Sequence, residues 1–292
     1  MKVGILGSEG YIASFLKKRL AEESGIEHVV LYDKVRSDQV CYMDLSEPEK
    51  FDYEKLDGLD YLIFTAAVSG PDQCAGQYEL CWKINVEGTE YVIAQALKRN
   101  IRVLFFSSDA VYGDDYDQIK DEESEKHPKT PYGKMKCHVE DAFVGSSDFK
   151  AIRLSYVVSQ RDKFVSYCME CFKTKTEAEI FHPFYRSCIT VHDVLDTVCW
   201  MLHHWEQYPH RFYNVAGTEL VSRVRIADEL IRICGAQIKY KIVTPGQEFF
   251  QNRPAITQMK SRYNEQYHII ESTSFSEKMK NEIRKEFCRN YE

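Results

Sequence analysis

Short, wholly apolar runs alternate with helical hydrophobic patterns through the first half of the chain. Ile12, Leu16 and Leu20 are spaced i, i+4, i+8 and give residues 10–22 the single apolar stripe of an amphipathic helix. Strands that are apolar along their whole length belong to parallel sheets with helices on both faces. The pattern therefore predicts an α/β fold on a doubly wound parallel sheet, with strands at residues 2–7, 28–33, 61–64, 101–106 and 151–154 and further helices at 77–98 and 130–143.

The alternation loosens in the second half of the chain. The pattern there predicts helices at residues 162–173, 192–204 and 222–234, strands near 186–191 and at 211–215, and a last amphipathic helix after a proline-containing loop. Neither a linker nor an internal repeat separates this part from the rest. We therefore expect residues 1–158 to form the sheet domain, which also receives later strands, and residues 159–292 to form mainly a smaller, interleaved C-terminal lobe.

Composition and charge narrow the class of protein. The 292 residues are 44% hydrophobic and 28% charged, as in a globular protein, and their net charge is −7. General nucleic-acid binding needs a basic face, so this acidic balance disfavours it. No apolar run approaches the roughly 20 residues that cross a bilayer, and residues 1–5 enter a strand-like segment at once, unlike a signal peptide. We therefore expect a cytoplasmic protein without a nucleic-acid or membrane partner.

The ten cysteines are scattered along the chain. Cys168 and Cys171 form a CxxC pair, but neither a second CxxC nor a CxxxH lies nearby, so the pair does not indicate a metal or redox site. In a cytosolic chain of this size most cysteines are reduced thiols in the core. We expect that state here, and no bound metal.

The segment GSEGYIA at residues 7–13 joins the first strand to the first helix. A glycine at a strand end allows a tight turn, a second glycine lets the backbone approach a pyrophosphate, and the following helix N-terminus offers N–H groups and partial positive charge. This context predicts a Rossmann-type dinucleotide site, against the alternative of a plain strand–helix turn. Glu9 is unusual there, because a carboxylate beside a pyrophosphate is unfavourable unless it points to solvent. The predicted cofactor contacts are Gly7, Gly10, Tyr11 and Ile12.

Asp33 ends the second predicted strand, 20 residues after Ala13. A carboxylate at this place accepts hydrogen bonds from the adenosine ribose hydroxyls and repels a 2′-phosphate, which favours NAD over NADP. Lys34 and Arg36 leave NADP open, because they would hold a 2′-phosphate if Asp33 turned aside.

Two later segments are candidates for the same cofactor site. Asp44 and the adjoining Leu45 would contact the adenine, although Asp44 would equally serve as a cap ahead of Ser46. Ala66 and Ala67 follow the third strand, and small residues are expected where the backbone runs past a cofactor.

A Ser/Tyr/Lys set follows the fourth predicted strand. Pro131 suits the first position of a helix, which places Tyr132 and Lys136 at i and i+4 on one face. A free tyrosine has a pKa near about 10, and a neighbouring ammonium would stabilise the phenolate and lower that pKa. Ser108 lies at the carboxyl end of a strand, where open α/β sheets bind ligands, and Ser107 beside it is a candidate cofactor contact. The set predicts proton transfer coupled to hydride transfer, with Lys136 also binding the nicotinamide ribose.

With these motifs the chain resembles, over essentially its whole length, the extended short-chain dehydrogenases/reductases that act on nucleotide sugars. The shared elements are the glycine motif at 7–13, NVEGT at 85–89, SSDAVYG at 107–113, YGKMK at 132–136, RSCITVHD at 186–193 and the Arg-Pro pair at 253–254. The resemblance implies that Arg186 and Arg253 hold the diphosphate of a nucleotide-sugar substrate, and that Ser69, Ser108 and Asp109 also contact that substrate.

The same resemblance bears on the reaction. RLSYV at residues 153–157 is most similar to the dTDP-4-dehydrorhamnose reductase branch. Dehydratases of the family have an acidic side chain where this chain has Ala110, which cannot supply the acid that elimination needs. We therefore hypothesise an NAD(P)-dependent reductase of a nucleotide-diphosphate-linked keto sugar; an NAD-dependent nucleotide-sugar 4-epimerase and a non-catalytic NAD(P)-sensing protein are the alternatives. Homodimers through the helices that bear Asn85 and Tyr132 are usual in such a family.

Overall fold

The computed structural model describes residues 1–114, 118–235, 237–283, 285–289 and 291. The strands are, in chain order, β1 Lys2–Leu6, β2 His28–Asp33, β3 Cys41–Tyr42, β4 Tyr61–Phe64, β5 Arg102–Ser108, β6 Phe149–Leu154, β7 Val157–Val158, β8 Ala178–Phe181, β9 Tyr185–Arg186, β10 Ile189–Thr190, β11 Phe212–Val215, β12 Val221–Ser222, β13 Tyr240–Val243 and β14 Ile256–Thr257. The helices are α1 Tyr11–Ala21, α2 Pro71–Gly76, α3 Tyr78–Trp82, α4 Thr89–Leu97, α5 Pro131–Phe143, α6 Lys163–Thr174, α7 Val191–His203, α8 Arg223–Cys234, α9 Gln247–Phe250, α10 Asn264–Tyr267, α11 Phe275–Glu282 and α12 Lys285–Arg289.

Seven strands form one parallel sheet in the order β3-β2-β1-β4-β5-β6-β11. β1 pairs with β2 on one side and with β4 on the other, so that Val3 lies opposite both Val29 and Tyr61. The strand order reverses at β1, and ligands of such sheets bind at the carboxyl ends of the strands beside that reversal. The predicted α/β fold is confirmed, and all five strands predicted in the first half belong to this sheet.

Aromatic side chains from three adjacent strands form the core beneath the sheet. The rings of Phe64, Phe105 and Phe149 pack in a row, with centroids 5.9 and 6.0 Å apart. Ile93 of α4 and Val139 of α5 belong to the same buried cluster. Each fully buried side chain of this size contributes about 1.5–3 kcal/mol, so this cluster holds α4 and α5 firmly on the sheet.

The helical segment predicted over residues 77–98 is present at 78–97 but is not α-helical throughout. A π-helical segment, Lys83–Gly88, separates α3 from α4. A Cβ atom on Gly88 would lie 1.9 Å from the Leu45 carbonyl oxygen, so this segment passes directly against another backbone. The predicted long helical segment is confirmed, and apolar spacing did not reveal its π-helical part because it does not distinguish a π turn from an α turn.

The prediction of a single strand near residues 186–191 was wrong. The structure has β9 and β10 there, in different small sheets: β9 lies between β12 and β14, and β10 pairs with β7. Residues 186–191 are all buried, so their burial does not mark the break between β9 and β10.

The chain divides into two compact units, each assembled from three separate segments. The first unit comprises Met1–Gly113, Glu125–Arg153 and Thr197–Tyr213. The second comprises Asp114–Ser124, Leu154–Asp196 and Asn214–Glu292. The second unit has its own apolar core, in which Met169 of α6, Leu230 of α8 and Met279 of α11 are completely buried.

Cys234 and Cys288 form a disulfide that joins α8 to α12. This corrects the expectation that all cysteines are reduced; the pairing joins residues 54 positions apart, which no local spacing reveals. Cys168 and Cys171 are free and buried. Among the described residues no group of three or more His, Cys, Asp or Glu side chains is arranged to hold a metal ion, and within the same ranges no helix is long and apolar enough to cross a membrane.

Candidate active site

The turn between β1 and α1 is shaped by Gly7. Its φ of +88° lies in the region that L side chains rarely adopt, and its N–H donates to the Tyr32 carbonyl oxygen at 2.9 Å. A Cβ atom there would lie 2.6 Å from the Ala66 backbone nitrogen. The turn therefore packs directly against the segment after β4 and needs glycine at this position.

The N-terminus of α1 is open to an anion. Its cap residue, Gly10, makes no side-chain capping bond, and the first turn carries no acidic residue. The first N–H groups of an α-helix have no intrahelical acceptor and carry partial positive charge. Ala13 is buried where the helix meets the sheet, so the backbone at the helix start is held in place for a pyrophosphate.

Glu9, which is unusual in this turn, is held by a lysine. Its carboxylate pairs with the Lys17 ammonium of α1 at 2.8 Å, while its backbone N–H donates to Asp33 Oδ2 at 3.0 Å. The carboxylate is therefore partly neutralised by a residue further along the helix.

Asp33 lies buried at the end of β2, as predicted for a ribose-binding carboxylate. Besides the Glu9 N–H, it accepts the Val35 N–H at 3.0 Å, so both oxygens are oriented by the backbone. Lys34 is exposed, and the Arg36 guanidinium stacks on the Tyr42 ring at 3.9 Å. The backbone contacts keep Asp33 in place, and Arg36 stacks on the residue that pairs with Asp33 in β3.

Asp44 makes the cap-like contacts that were the alternative to an adenine contact. Its Oδ1 accepts the Ser46 N–H and hydroxyl, both at 2.8 Å. Burial raises the pKa of the Asp44 carboxyl, but these hydrogen bonds outweigh it and the pKa lies below the usual value. Leu45 is buried, with its carbonyl against Gly88.

In the described residues of the first unit, two buried hydroxyls at the carboxyl edge of the sheet have no hydrogen-bond partner. They belong to Ser8, in the glycine turn, and Ser107, near the end of β5. Buried polar groups are nearly always paired, so these hydroxyls, with the glycine turn, fit a polar cofactor. Sequence reasoning selected Ser107 and missed Ser8, because nothing in the sequence signals that a small residue between the glycines has an unpaired hydroxyl.

The loop after β4 is fixed by Asn85. Its side chain accepts the Val68 N–H and donates to the Val68 carbonyl oxygen, both at 2.8 Å. This holds the segment that begins with Ala66 and Ala67. Ser69, one residue further, is exposed.

The Ser108 hydroxyl lies at the end of β5 and caps the short helical turn Asp109–Tyr112. It accepts the Ala110 N–H at 3.2 Å and donates to Asp109 Oδ1 at 3.0 Å. Helix α5 packs tightly on this turn, because a Cβ atom on Gly133 would lie 2.3 Å from the Ala110 carbonyl oxygen. The Ser108 turn and the start of α5 are thereby in contact.

Tyr132 and Lys136 lie one turn apart on α5, as the spacing predicts. The Lys136 ammonium is 5.7 Å from the centre of the Tyr132 ring and donates to the Phe106 carbonyl oxygen at 2.7 Å. Burial lowers the pKa of Lys136 to about 7. Burial also raises the pKa of Tyr132, with Cys74 and Asp109 adding to the rise.

The pKa of Tyr132 is therefore raised, opposite in direction to the lowering expected from Lys136. Desolvation disfavours both the phenolate and the ammonium, and it is the largest influence on each pKa. The tyrosine is protonated at neutral pH.

The two arginines predicted to bind a diphosphate lie in the second unit. Arg186 of β9 donates to the carbonyl oxygens of Tyr185 at 2.6 Å, Pro254 at 2.7 Å and Ala255 at 3.2 Å. The Arg253 guanidinium lies 4.4 Å from the centre of the Phe249 ring. Arg186 thus ties β9 to the segment that carries Arg253, which brings the two predicted residues together within this unit.

Comparisons with known proteins identify the family to which the chain is similar. A model of the NAD dependent epimerase/dehydratase family matches residues 3–216. Spore coat polysaccharide biosynthesis protein SpsK of Bacillus subtilis (strain 168) is 24% identical over 214 residues, which are 72% of this chain and 74% of that protein.

Two solved structures illustrate the likeness of fold. A dTDP-4-dehydrorhamnose reductase from Clostridium acetobutylicum has 20% identity and a TM-score of 0.80, with 97% of this chain and 98% of that chain covered. A UDP-glucuronic acid 4-epimerase from Bacillus cereus, solved with NAD, has 18% identity and a TM-score of 0.83, with 99% of each chain covered. At such identities the likeness concerns the fold and does not distinguish one reaction from the other.

Proposed function

The chain belongs to the NAD dependent epimerase/dehydratase family, and we propose that it reduces a keto sugar carried on a nucleotide diphosphate, with NAD as its cofactor. The observation that carries this proposal is the contact between the Ser108 turn and the start of α5, which bears Tyr132 and Lys136 one turn apart. A protein that only binds NAD has no use for a proton-donating tyrosine hydroxyl beside Lys136, which disfavours the non-catalytic alternative.

Each member of the set has a separate task. NAD in its reduced form supplies a hydride. The Ser108 hydroxyl orients the carbonyl oxygen of the sugar, and Tyr132 donates its proton to the alkoxide that forms there. Lys136 holds the cofactor ribose and supports the phenolate left on Tyr132. The absence of an acidic side chain at Ala110 favours reduction over elimination.

The diphosphate of the substrate is assigned to Arg186 and Arg253. A guanidinium binds phosphate through two parallel hydrogen bonds, and an acidic chain needs such local cations for an anionic substrate. The carbonyl bonds of Arg186 orient its guanidinium beside the Pro254 backbone, next to Arg253 in the chain.

A nucleotide-sugar 4-epimerase would use the same Ser108, Tyr132 and Lys136, and it is the second candidate. It oxidises and re-reduces one substrate, so it retains NAD and consumes none. Native mass spectrometry of the freshly purified protein, with release and identification of bound ligands, separates the two. Protein that takes up NADH and consumes it with a keto sugar supports the reductase. Tightly retained NAD with a nucleoside-diphosphate sugar supports the epimerase.

Replacing Tyr132 with Phe tests the chemistry directly. We expect turnover to fall about 10²–10⁴-fold, the usual contribution of a positioned acid, while the dissociation constant for NAD changes little. Tyr91→Phe on α4 is the matched control, because Tyr91 is exposed and should retain wild-type turnover. Near-normal turnover in Tyr132→Phe would show that the proton comes from another group.

A further inference from the structure

A buried ion pair adjoins the candidate active site. Glu140 follows Lys136 by four residues and Tyr132 by eight, on the same side of α5, and its side chain is completely buried. Arg153 lies at the end of β6 and is 2% exposed. Neither residue takes part in the chemistry proposed above.

Arg153 connects the two elements that carry the catalytic side chains. Its Nε donates to Glu140 Oε1 at 3.0 Å and its Nη2 to Glu140 Oε2 at 2.7 Å, a two-pronged contact with α5. Its Nη1 donates to the Tyr112 hydroxyl at 2.6 Å. Tyr112 is the last residue of the turn that begins after Ser108. One guanidinium therefore spans from α5 to the Ser108 turn.

The surroundings keep Arg153 in one orientation. Its guanidinium lies 4.1 Å from the centre of the Phe212 ring, and Lys126 adds a third charge at 3.3 Å from Glu140 Oε2. Apolar residues of similar volume would often give a fold of equal or greater stability than a buried ion pair, because both charges must leave water. The two parallel hydrogen bonds are directional, so they define the register between the elements that Arg153 joins. Apolar packing does not define a register in this way.

We propose that Arg153 and Glu140 are positioning residues that set the placement of α5, and hence of Tyr132 and Lys136, against the Ser108 turn. This inference rests on the proposed function for its catalytic consequence. The placement itself has a reporter within the structure, because Lys136 donates to the Phe106 carbonyl oxygen on β5, and that bond changes if α5 shifts on the sheet.

Tyr112→Phe is the sharpest variant, because it deletes one hydroxyl and leaves the ion pair intact. We expect kcat to fall about tenfold or more, since small displacements of reacting groups cost up to about 10²-fold, while the dissociation constant for NAD stays within about twofold of wild type. Tyr53→Phe is the matched control: the half-buried Tyr53 hydroxyl donates to the Pro48 carbonyl oxygen at 2.9 Å, and neither residue belongs to the Arg153 contacts described above. Its kcat should equal that of wild type.

A second readout does not need turnover. In protein labelled with carbon-13 at lysine Cε, the Lys136 signal, assigned from Lys136→Arg, should move in Tyr112→Phe and stay in place in Tyr53→Phe. Glu140→Gln alone would leave Arg153 charged in the core, so Glu140→Gln is combined with Arg153→Met. The double variant, folded by circular dichroism, should lose kcat and move the same signal.

The outcomes separate the two proposals. If the wild-type protein turns over no nucleotide sugar, the proposed function fails, and the Lys136 signal still decides the positioning. If the wild type is active but Tyr112→Phe and the folded double variant keep both its kcat and its Lys136 signal, Arg153 and Glu140 serve stability alone and the inference is overturned.

Discussion

At Lys136, burial competes with the charges around it. Glu140 and Cys74 favour the ammonium, but desolvation is larger, and the pKa falls from 10.5 to about 7. The bond to the Phe106 carbonyl oxygen places the ammonium but does not offset the loss of water. Spacing in the sequence predicts that Tyr132 and Lys136 share a face of α5, whereas burial of that face decides their proton affinities.

This buried lysine predicts a pH-dependent stability. Below pH 7 Lys136 is charged in both the folded and the unfolded protein, so the whole free-energy cost of burying its charge opposes folding. Above pH 7 the folded protein loses the proton that the unfolded chain keeps up to about pH 10.5, and stability rises with pH across that window. Without cofactor, we therefore expect Lys136→Met to have a higher free energy of unfolding than wild type. This excess should be about 2 kcal/mol larger at pH 6 than at pH 9.

Urea unfolding at the two pH values measures this difference. Lys134→Met is the control, because Lys134 lies on the same helix but is exposed. The difference in free energy of unfolding between this variant and wild type should be the same at both pH values. An offset for Lys136→Met that is equal at pH 6 and pH 9 would mean that Lys136 keeps an ordinary pKa.

At the scale of elements, contacts between backbones decide where the regular pattern is interrupted. The π-helical segment ends at Gly88, where it passes the Leu45 carbonyl. Helix α5 begins with Gly133 packed on the Ala110 carbonyl. Both glycines lie in helical segments where no turn is needed, so they serve close approach rather than unusual backbone angles.

Gly88→Ala should therefore destabilise the protein strongly. A Cβ atom 1.9 Å from a backbone oxygen forces two elements apart, and we expect a loss of about 2 kcal/mol or more in the free energy of unfolding. Gly76→Ala is the matched control, because a Cβ atom there meets nothing within 4 Å; it should be neutral or stabilise by about 0.4–1 kcal/mol. Urea unfolding compares the two, and equal stabilities would contradict the close approach at Gly88.

At the scale of the whole molecule, contacts between distant segments define the compact units. Each unit takes three segments of the chain, so neither is a continuous stretch of sequence. In the second unit, the disulfide between Cys234 and Cys288 closes a loop of 54 residues. Closing such a loop restricts the unfolded chain and leaves the folded core unchanged.

Reduction of this disulfide should lower stability by about 2–4 kcal/mol. Thermal unfolding with and without a phosphine reductant measures the effect, and peptide mapping under non-reducing conditions identifies the bond. The double variant Cys234→Ser with Cys288→Ser should unfold at the lower temperature whether or not reductant is present. If mapping finds all ten cysteines free and reductant changes nothing, the expectation of reduced thiols stands.

The sequence alone determined the features that depend on local spacing. Apolar runs predict six of the seven sheet strands and leave only the two-residue β3 unassigned. Glycine spacing identifies the turn at Gly7, and the i, i+4 pair Tyr132 and Lys136 lies on one helix as predicted. These features depend on a few residues that are close in the chain, and strands and helices place such residues at fixed spacings.

Only the tertiary structure decided the features that depend on distant neighbours. The unpaired hydroxyl of Ser8, the π-helical segment, the depressed pKa of Lys136 and the contacts of Arg153 all depend on backbone or side chains from other elements. Burial and hydrogen-bond pairing are set by what packs against a residue, and the residues that pack together here lie far apart in the chain. The pairing of Cys234 with Cys288 follows the same rule, since proximity in the fold selects it and spacing does not.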